Sequence, residues 1–172
     1  MTSSAVAAFS PTDFRAALGT FATGVTLVTV RGRCDQLFGL TANSFNSVSL
    51  DPPLVLWSLS RHSLSLATFR TGTHYAISVL AADQLALARR FAAPMPDRWD
   101  GVPWRPGIFG APLIEGAVAH FECANRSRYD EGDHVIFVGK VEHCAHRPGA
   151  APLLFHGGRF HTEHELREPT ST

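Results

Sequence analysis

The chain has 172 residues, with 15 Lys and Arg against 15 Asp and Glu, so it is formally neutral; 17% is charged and 45% hydrophobic. Soluble domains average roughly 25% charged residues, and because Ser, Thr, Asn, Gly and His fill the deficit here, the composition describes one folded domain and excludes disorder. A domain this long buries about 70% of its unfolded surface without disulfide or metal staples, and balanced charge with no Lys/Arg run argues against nucleic acid and anionic membranes as partners.

Cys34, Cys123 and Cys144 are odd in number, widely spaced and without a Cys-x-x-Cys pair, the usage of a reducing, cytoplasmic compartment. The N-terminal MTSSAVAAFSPTDF lacks the basic and long apolar regions of a secretory signal, and no apolar run approaches a membrane span. Phe14, Ala17, Leu18 and Phe21 fall at helical spacing behind Pro11-Thr12-Asp13, predicting an amphipathic helix capped by Thr12 or Asp13 and ending near Gly24. The β-branched run Val25–Val30 predicts a strand closed by Arg31-Gly32-Arg33. Phe38–Val48 and Leu54–Leu59 read as two strands about the Asp51-Pro52-Pro53 corner, which neither a helix nor a central strand would cross.

A short helix is expected over Ser63–Phe69, a strand over Tyr75–Leu80, and a helix capped by Asp83 that carries Leu85, Ala88, Arg89 and Phe91. Residues 92–112, rich in Pro and Gly around Trp99 and Trp104, have no period and read as a long loop of the kind that often carries function. Ala117, Ala119, Phe121 and Cys123 alternate with Val118, His120 and Glu122, predicting a half-buried strand. The loop Arg128–Asp133 then leads into a central strand, Val135–Val141. Leu153–Phe155 and Arg159-Phe160 make a last short pair. Short strands that do not alternate with helices point to a mainly β fold, a closed or nearly closed antiparallel barrel with peripheral helices. One domain over 11–165 is expected, with flexible tails at 1–10 and 166–172.

Familiar catalytic signatures are absent from the sequence. No Gly-x-Gly-x-x-Gly follows a strand, and Gly132 and Gly139-Lys140 have six intervening residues and Val141 where a P-loop needs Ser or Thr. Gly-x-Ser-x-Gly and His-Glu-x-x-His are missing too. His143-x-x-His146 and the late group His156, His161 and His164 invite a metal reading, but no thiolate or carboxylate recurs with them at ligand spacing, so solvated side chains are the simpler account. The same holds for His62 and His74, while His120 is expected to be partly exposed or satisfied within the core. The informative stretch is Gly39–Pro53. Small hydroxyl and amide side chains crowd a strand there, which fills a core poorly but lines a slot for a flat, neutral, hydrogen-bonding ligand such as a flavin ring. Ser58-Leu59-Ser60-Arg61-His62-Ser63 offers hydroxyls, amides and one cation for a phosphate; a polar edge strand and an ordinary Ser-rich turn are the plainer alternative.

Three ordered motifs carry a more specific likeness. Phe14-Arg15-x-x-Leu18-Gly19-x-Phe21-Ala22-Thr23-Gly24-Val25 comes first, then Gly39–Phe45 with Ser47–Val55, then Gly132-Asp133-His134. Over Phe14–Phe160 the chain resembles the short-chain flavin reductases, the NAD(P)H:flavin oxidoreductase components of two-component flavin monooxygenases. The resemblance implies an FMN-binding split barrel, a Greek-key antiparallel barrel with added helices, acting as a homodimer. It implies that Thr41, Ala42, Asn43, Ser44, Phe45 and Ser47 hold the flavin ring, that Ser58, Ser60 and Ser63 lie near ribityl and phosphate, and that Arg90-Phe91 completes the phosphate side, with Arg89 competing. His134 would stand beside the nicotinamide, orienting it or donating to the flavin anion, or else would only stiffen its loop. Gly158-Arg159-Phe160 would contact the dinucleotide. FMN or FAD, reduced by NADH or NADPH, would carry the chemistry and pass as reduced flavin to a separate monooxygenase. A reductase that keeps its flavin for an organic substrate, and a non-catalytic flavin carrier, are the rival readings.

Overall fold

The computed structural model describes residues 9–164 apart from Pro94 and Pro96. Of the tails expected at 1–10 and 166–172, only Phe9 and Ser10 fall within it. Ser10 is the N-cap of α1 (Pro11–Gly19). Its hydroxyl accepts the Asp13 amide at 3.1 Å while the Asp13 carboxylate accepts the Ser10 amide at 3.1 Å, a reciprocal capping box. Neither Thr12 nor Asp13 is therefore the cap. The helix also stops earlier than its spacing predicted, because the chain beyond Phe21 is drawn into a sheet: β1 (Thr23–Gly24) pairs with Leu154–His156. No residue of α1 is buried, and Phe14, Leu18 and Phe21 stand exposed.

Seven strands form the main antiparallel sheet. They are β2 (Thr26–Arg31), β3 (Leu37–Ala42), β4 (Asn46–Leu50), β5 (Pro53–Ser60), β6 (His74–Val79), β9 (Ala119–Glu131) and β10 (His134–His146), in the order β3-β2-β6-β9-β10-β5-β4. Its edge strands β3 and β4 are consecutive in sequence and separated only by Asn43–Phe45, so the sheet must curl until its edges approach. Across that seam Ser44 Oγ accepts the Ser58 amide at 2.9 Å. The single strand expected over Phe38–Val48 is thus broken in two where the barrel turns. Inside, the wholly buried Trp57 stacks on Phe137, with ring centroids 4.8 Å apart, and meets Phe69 and Tyr75 edge-on. Burial there pushes the Tyr75 hydroxyl well above its ordinary range and the Cys123 thiol up to about 12.

The expected loop Arg128–Asp133 is instead the end of a long hairpin: β9 runs on to Glu131, which pairs with His134 at the start of β10. Solvated on both faces, those residues have no hydrophobic period, yet their backbones stay in the ladder. Only Gly132 and Asp133 form the turn. Gly132, at φ +57, supplies the left-handed first position that such a two-residue loop requires. β10 lies between β9 and β5, inside the sheet, as its apolar sequence predicted.

α2 (Leu66–Thr71) starts after the Ser63–Ser65 turn. α3 (Leu85–Ala92) follows a 3₁₀ turn, Ala82–Gln84; the Gln84 side chain accepts the Ala81 amide at 3.0 Å, so it, and not Asp83, secures the helix entry. Within the expected loop 92–112, β7 (Trp104–Pro106) begins a small hairpin with β8 (Pro112–Ile114). β11 (Leu154–His156) pairs with β12 (Arg159–His161) as the closing pair. Beneath α3 a second core gathers Val25, Leu27, Leu80, Phe91, Val102 and Ile114, with Trp99 and Trp104 packed on it. His120 Nδ1 lies 3.1 Å from the Ser78 hydroxyl, and burial, aided by Arg105, lowers its pKa. Among the described residues no cluster of three or more His, Cys, Asp or Glu could hold a metal ion; His143 instead sits 3.3 Å from the buried Glu122 carboxylate.

Candidate active site

A groove of about 940 Å³ runs along the outer side of β3, past the Asn43-Ser44 seam, to the end of β5 and the tip of the β9–β10 hairpin. Its floor is set by glycine. A Cβ at Gly39 would stand 3.0 Å from both the Phe91 and Trp99 rings, so the missing side chain lets α3 and the segment after it close over β3. The Thr41 hydroxyl donates to the Ala88 carbonyl at 2.7 Å and ties the same helix to the strand.

Thr41, Ala42, Asn43, Ser44, Ser58, Ser60, Ser63, Phe91 and His134 all line this groove. Their chemistry is graded along it. Ser44 is fixed by Ser58, and at the far end Ser63 and Ser65 hydroxyls pair at 3.0 Å while Ser60 Oγ accepts the His62 amide at 3.3 Å. His134 Nδ1 is 2.7 Å from Asp133 Oδ1, and that imidazole contact holds the Asp133 carboxyl below its ordinary range. One ring nitrogen is thereby occupied, which leaves Nε2 as the other polar atom of a half-exposed imidazole at the groove's hairpin end.

Other expected site residues stand elsewhere in the chain. Phe45 turns inward onto Phe121, with centroids 5.3 Å apart, and anchors the seam from behind. Ser47 is exposed on the edge strand β4. Arg90 donates from Nη1 to the Asp100 carbonyl at 2.8 Å and does not line the groove, and Arg89 lies over the Phe160 ring, 5.8 Å from its centroid. Gly158 and Arg159 are exposed on the closing strand pair, whose Phe160 packs on Phe155. The groove contains what sequence reasoning passed over: Met95, Asp97, Arg98 and Trp99, from the stretch whose Pro and Gly content marked it as a loop of interest without saying which residue faced inward. Half-buried Arg98 donates from Nη1 to the Gly39 carbonyl at 3.2 Å, with its guanidinium carbon 6.0 Å from the Phe91 centroid.

The groove suits a flat heteroaromatic with polar edges. Leu40, Leu59, Phe91 and Trp99 offer apolar walls, and Asn43, the serines and the backbone offer neutral hydrogen-bonding groups, without a facing pair of carboxylates. A curled antiparallel barrel with such a groove beside an imidazole suits a flavin-dependent oxidoreductase. Residues 18–164 match the model of the flavin reductase like domain, and the chain belongs to that family. It is 48% identical over 148 residues to an NADH-type FMN reductase of Agrobacterium fabrum, covering 86% of this chain and 83% of that one. It is 36% identical over 156 residues to the reductase subunit of a flavin-dependent monooxygenase of Mycobacterium tuberculosis, covering 90% and 83%. The NADH:FAD oxidoreductase of Streptomyces globisporus, solved with NAD and FAD fragments, superposes with a TM-score of 0.83 at 42% identity, covering 97% of this chain and all of that one.

Proposed function

We propose that this protein catalyses reduction of free FMN or FAD by NADH and releases the reduced flavin to a separate monooxygenase, which it need not bind tightly. The observation that carries this reading is the groove itself: long, neutral, open to solvent and ending at His134, with positioning groups in place of an acid–base pair. When bound together, the nicotinamide is oxidised and the flavin reduced by one hydride transfer between rings in near-contact. Thr41–Ser44 then hold the ring's polar edge, and Ser44, already fixed by Ser58, cannot follow the ligand out. Ser58, Ser60 and Ser63 lie near the ribityl chain and the phosphate. His134, oriented through Asp133, presents its free nitrogen to the nicotinamide carboxamide or to the reduced ring.

Names given to relatives support NADH as donor and a monooxygenase as recipient; NADPH is a test arm. We further infer that residues 11–165 act as one unit and pair into a homodimer, since α1 buries nothing in the protomer yet displays Phe14 and Leu18, with Phe21 exposed just beyond it. The three scattered thiols fit a cytoplasmic setting, and no helix among the described residues is long and apolar enough to cross a membrane.

Anaerobic mixing of the protein with NADH or NADPH, with and without free flavin, tests the reaction. Bleaching of added flavin in proportion to NADH oxidised is the expected result. NADH oxidation indifferent to free flavin would support a reductase that keeps its flavin, and a yellow protein that oxidises neither nucleotide would support a carrier. Light scattering that shows a stable monomer would remove the dimer.

A further inference from the structure

Apolar side chains left in water usually stand singly and carry no meaning. Among the large ones exposed in the described residues, however, Leu64 and Met95 line the same groove, at 92% and 50% exposed, and the others do not line it. We propose that Leu64 and Met95 are the two lips of the groove, which close on the apolar surface of the bound flavin ring and set how long the flavin stays. The proposal rests on the flavin reading above.

The two lips come from opposite sides of the seam. Leu64 follows β5, in the turn that leads to α2, and Met95 follows α3, which is tied to β3. The turn is built to present Leu64. The Ser63 amide donates to the Ser60 carbonyl at 3.0 Å, the Leu66 amide donates to the Ser63 carbonyl at 3.1 Å, and the Ser63 and Ser65 hydroxyls pair at 3.0 Å. The backbone on either side of Leu64 is therefore fixed while its side chain stands in water, so binding orders one side chain and no loop. Met95, unbranched and polarisable, can follow a flat ring surface. A leucine this exposed has almost no packing to lose in the free protein, and what it contributes arises only when a ligand covers it. Covering it completely would change affinity by about tenfold or more. A flavin ring has a polar pyrimidine edge and an apolar dimethylbenzene edge; with the first on Thr41–Ser44, the second is left for the lips. Release of the reduced flavin is a step of every turnover in a reductase that hands its product on, so the grip of the lips is also a limit on rate.

The test is release of oxidised FMN and of lumiflavin, the ring without its ribityl phosphate, followed by stopped-flow flavin fluorescence in the absence of NADH. The wild type is compared with Leu64→Ala, Leu64→Met, Met95→Ala and Leu50→Ala. Leu64→Ala should speed release of both ligands about three- to tenfold and leave association within about twofold, because the lost contact forms after entry. Leu64→Met, which restores apolar area, should stay within about twofold of the wild type. Met95→Ala should accelerate release less, since Met95 is already half covered. Leu50→Ala removes a side chain that is 94% exposed but off the groove, and should release at the wild-type rate. Thermal melts of all four variants should coincide with the wild type. Wild-type release in both Leu64→Ala and Met95→Ala would overturn the proposal and leave the flavin reading standing. Faster release of FMN with lumiflavin unaffected would also overturn it, since the contact would then lie on the ribityl phosphate. Acceleration shared by Leu50→Ala, or accompanied by a lowered melt, would show general loosening and overturn it as well. A wild type that binds neither ligand would overturn both readings.

Discussion

The two ends of the groove are built by opposite means. At the hairpin end the parts are strand residues locked by backbone pairing: Ser58 and Ser60 in β5, His134 in β10, and Ser44 clamped across the seam. At the Arg98 end they are a helix terminus and an irregular segment laid on a glycine, held by rings and by one side-chain bond to a carbonyl. The lesson is that the ladder end can position reacting rings closely, whereas the looser end can only shape what enters.

Breaking the packing at the looser end should have the largest effect. Gly39→Val forces side-chain carbons into Phe91 and Trp99, so it should cost about 1–3 kcal/mol in denaturant unfolding and weaken flavin binding with it. At the ladder end, His134→Gln should lower NADH-dependent kcat about tenfold or more, with FMN affinity in the absence of NADH unchanged. Unchanged kinetics would reduce the imidazole to a hairpin brace. Ser44→Ala leaves the half-buried Ser58 amide without its partner and should cost about 1 kcal/mol, read in thermal melts, with a matching loss of ring affinity. The smallest effect lies away from both ends. Burial holds the pKa of His120 below its ordinary 6.5, so the unfolded chain binds the proton more readily. That contribution to stability is complete above pH 6.5 and lost as pH falls toward the folded-state pKa, and His120→Gln should flatten this slope while leaving flavin kinetics unaltered.

Legibility in the sequence followed the same division. β-branched runs and the Pro-Pro corner located most of the barrel strands, and small hydroxyl residues on an apolar strand marked the groove, because a period of two and a misplaced polar run are local signals. The solvated half of β9 has no such signal, since nothing in Arg128–Glu131 distinguishes a paired strand from a loop. α1 and α3 show the same limit. Both have helical spacing, but α3 buries Ala88 and Phe91 while α1 buries nothing, and the sequence names the face without naming its partner. Arg89, Arg90 and Arg98 were indistinguishable by type. Only the bond of Arg98 to the Gly39 carbonyl, and of Arg90 to the Asp100 carbonyl, tells them apart in the structure.

A crystal structure with FMN bound tests the division of the groove most directly. The account predicts the ring's polar edge on Thr41–Ser44, the ribityl chain along Ser58–Ser63, and an open ring face toward His134. A ring seated away from Thr41–Ser44, with His134 facing only solvent, would contradict it.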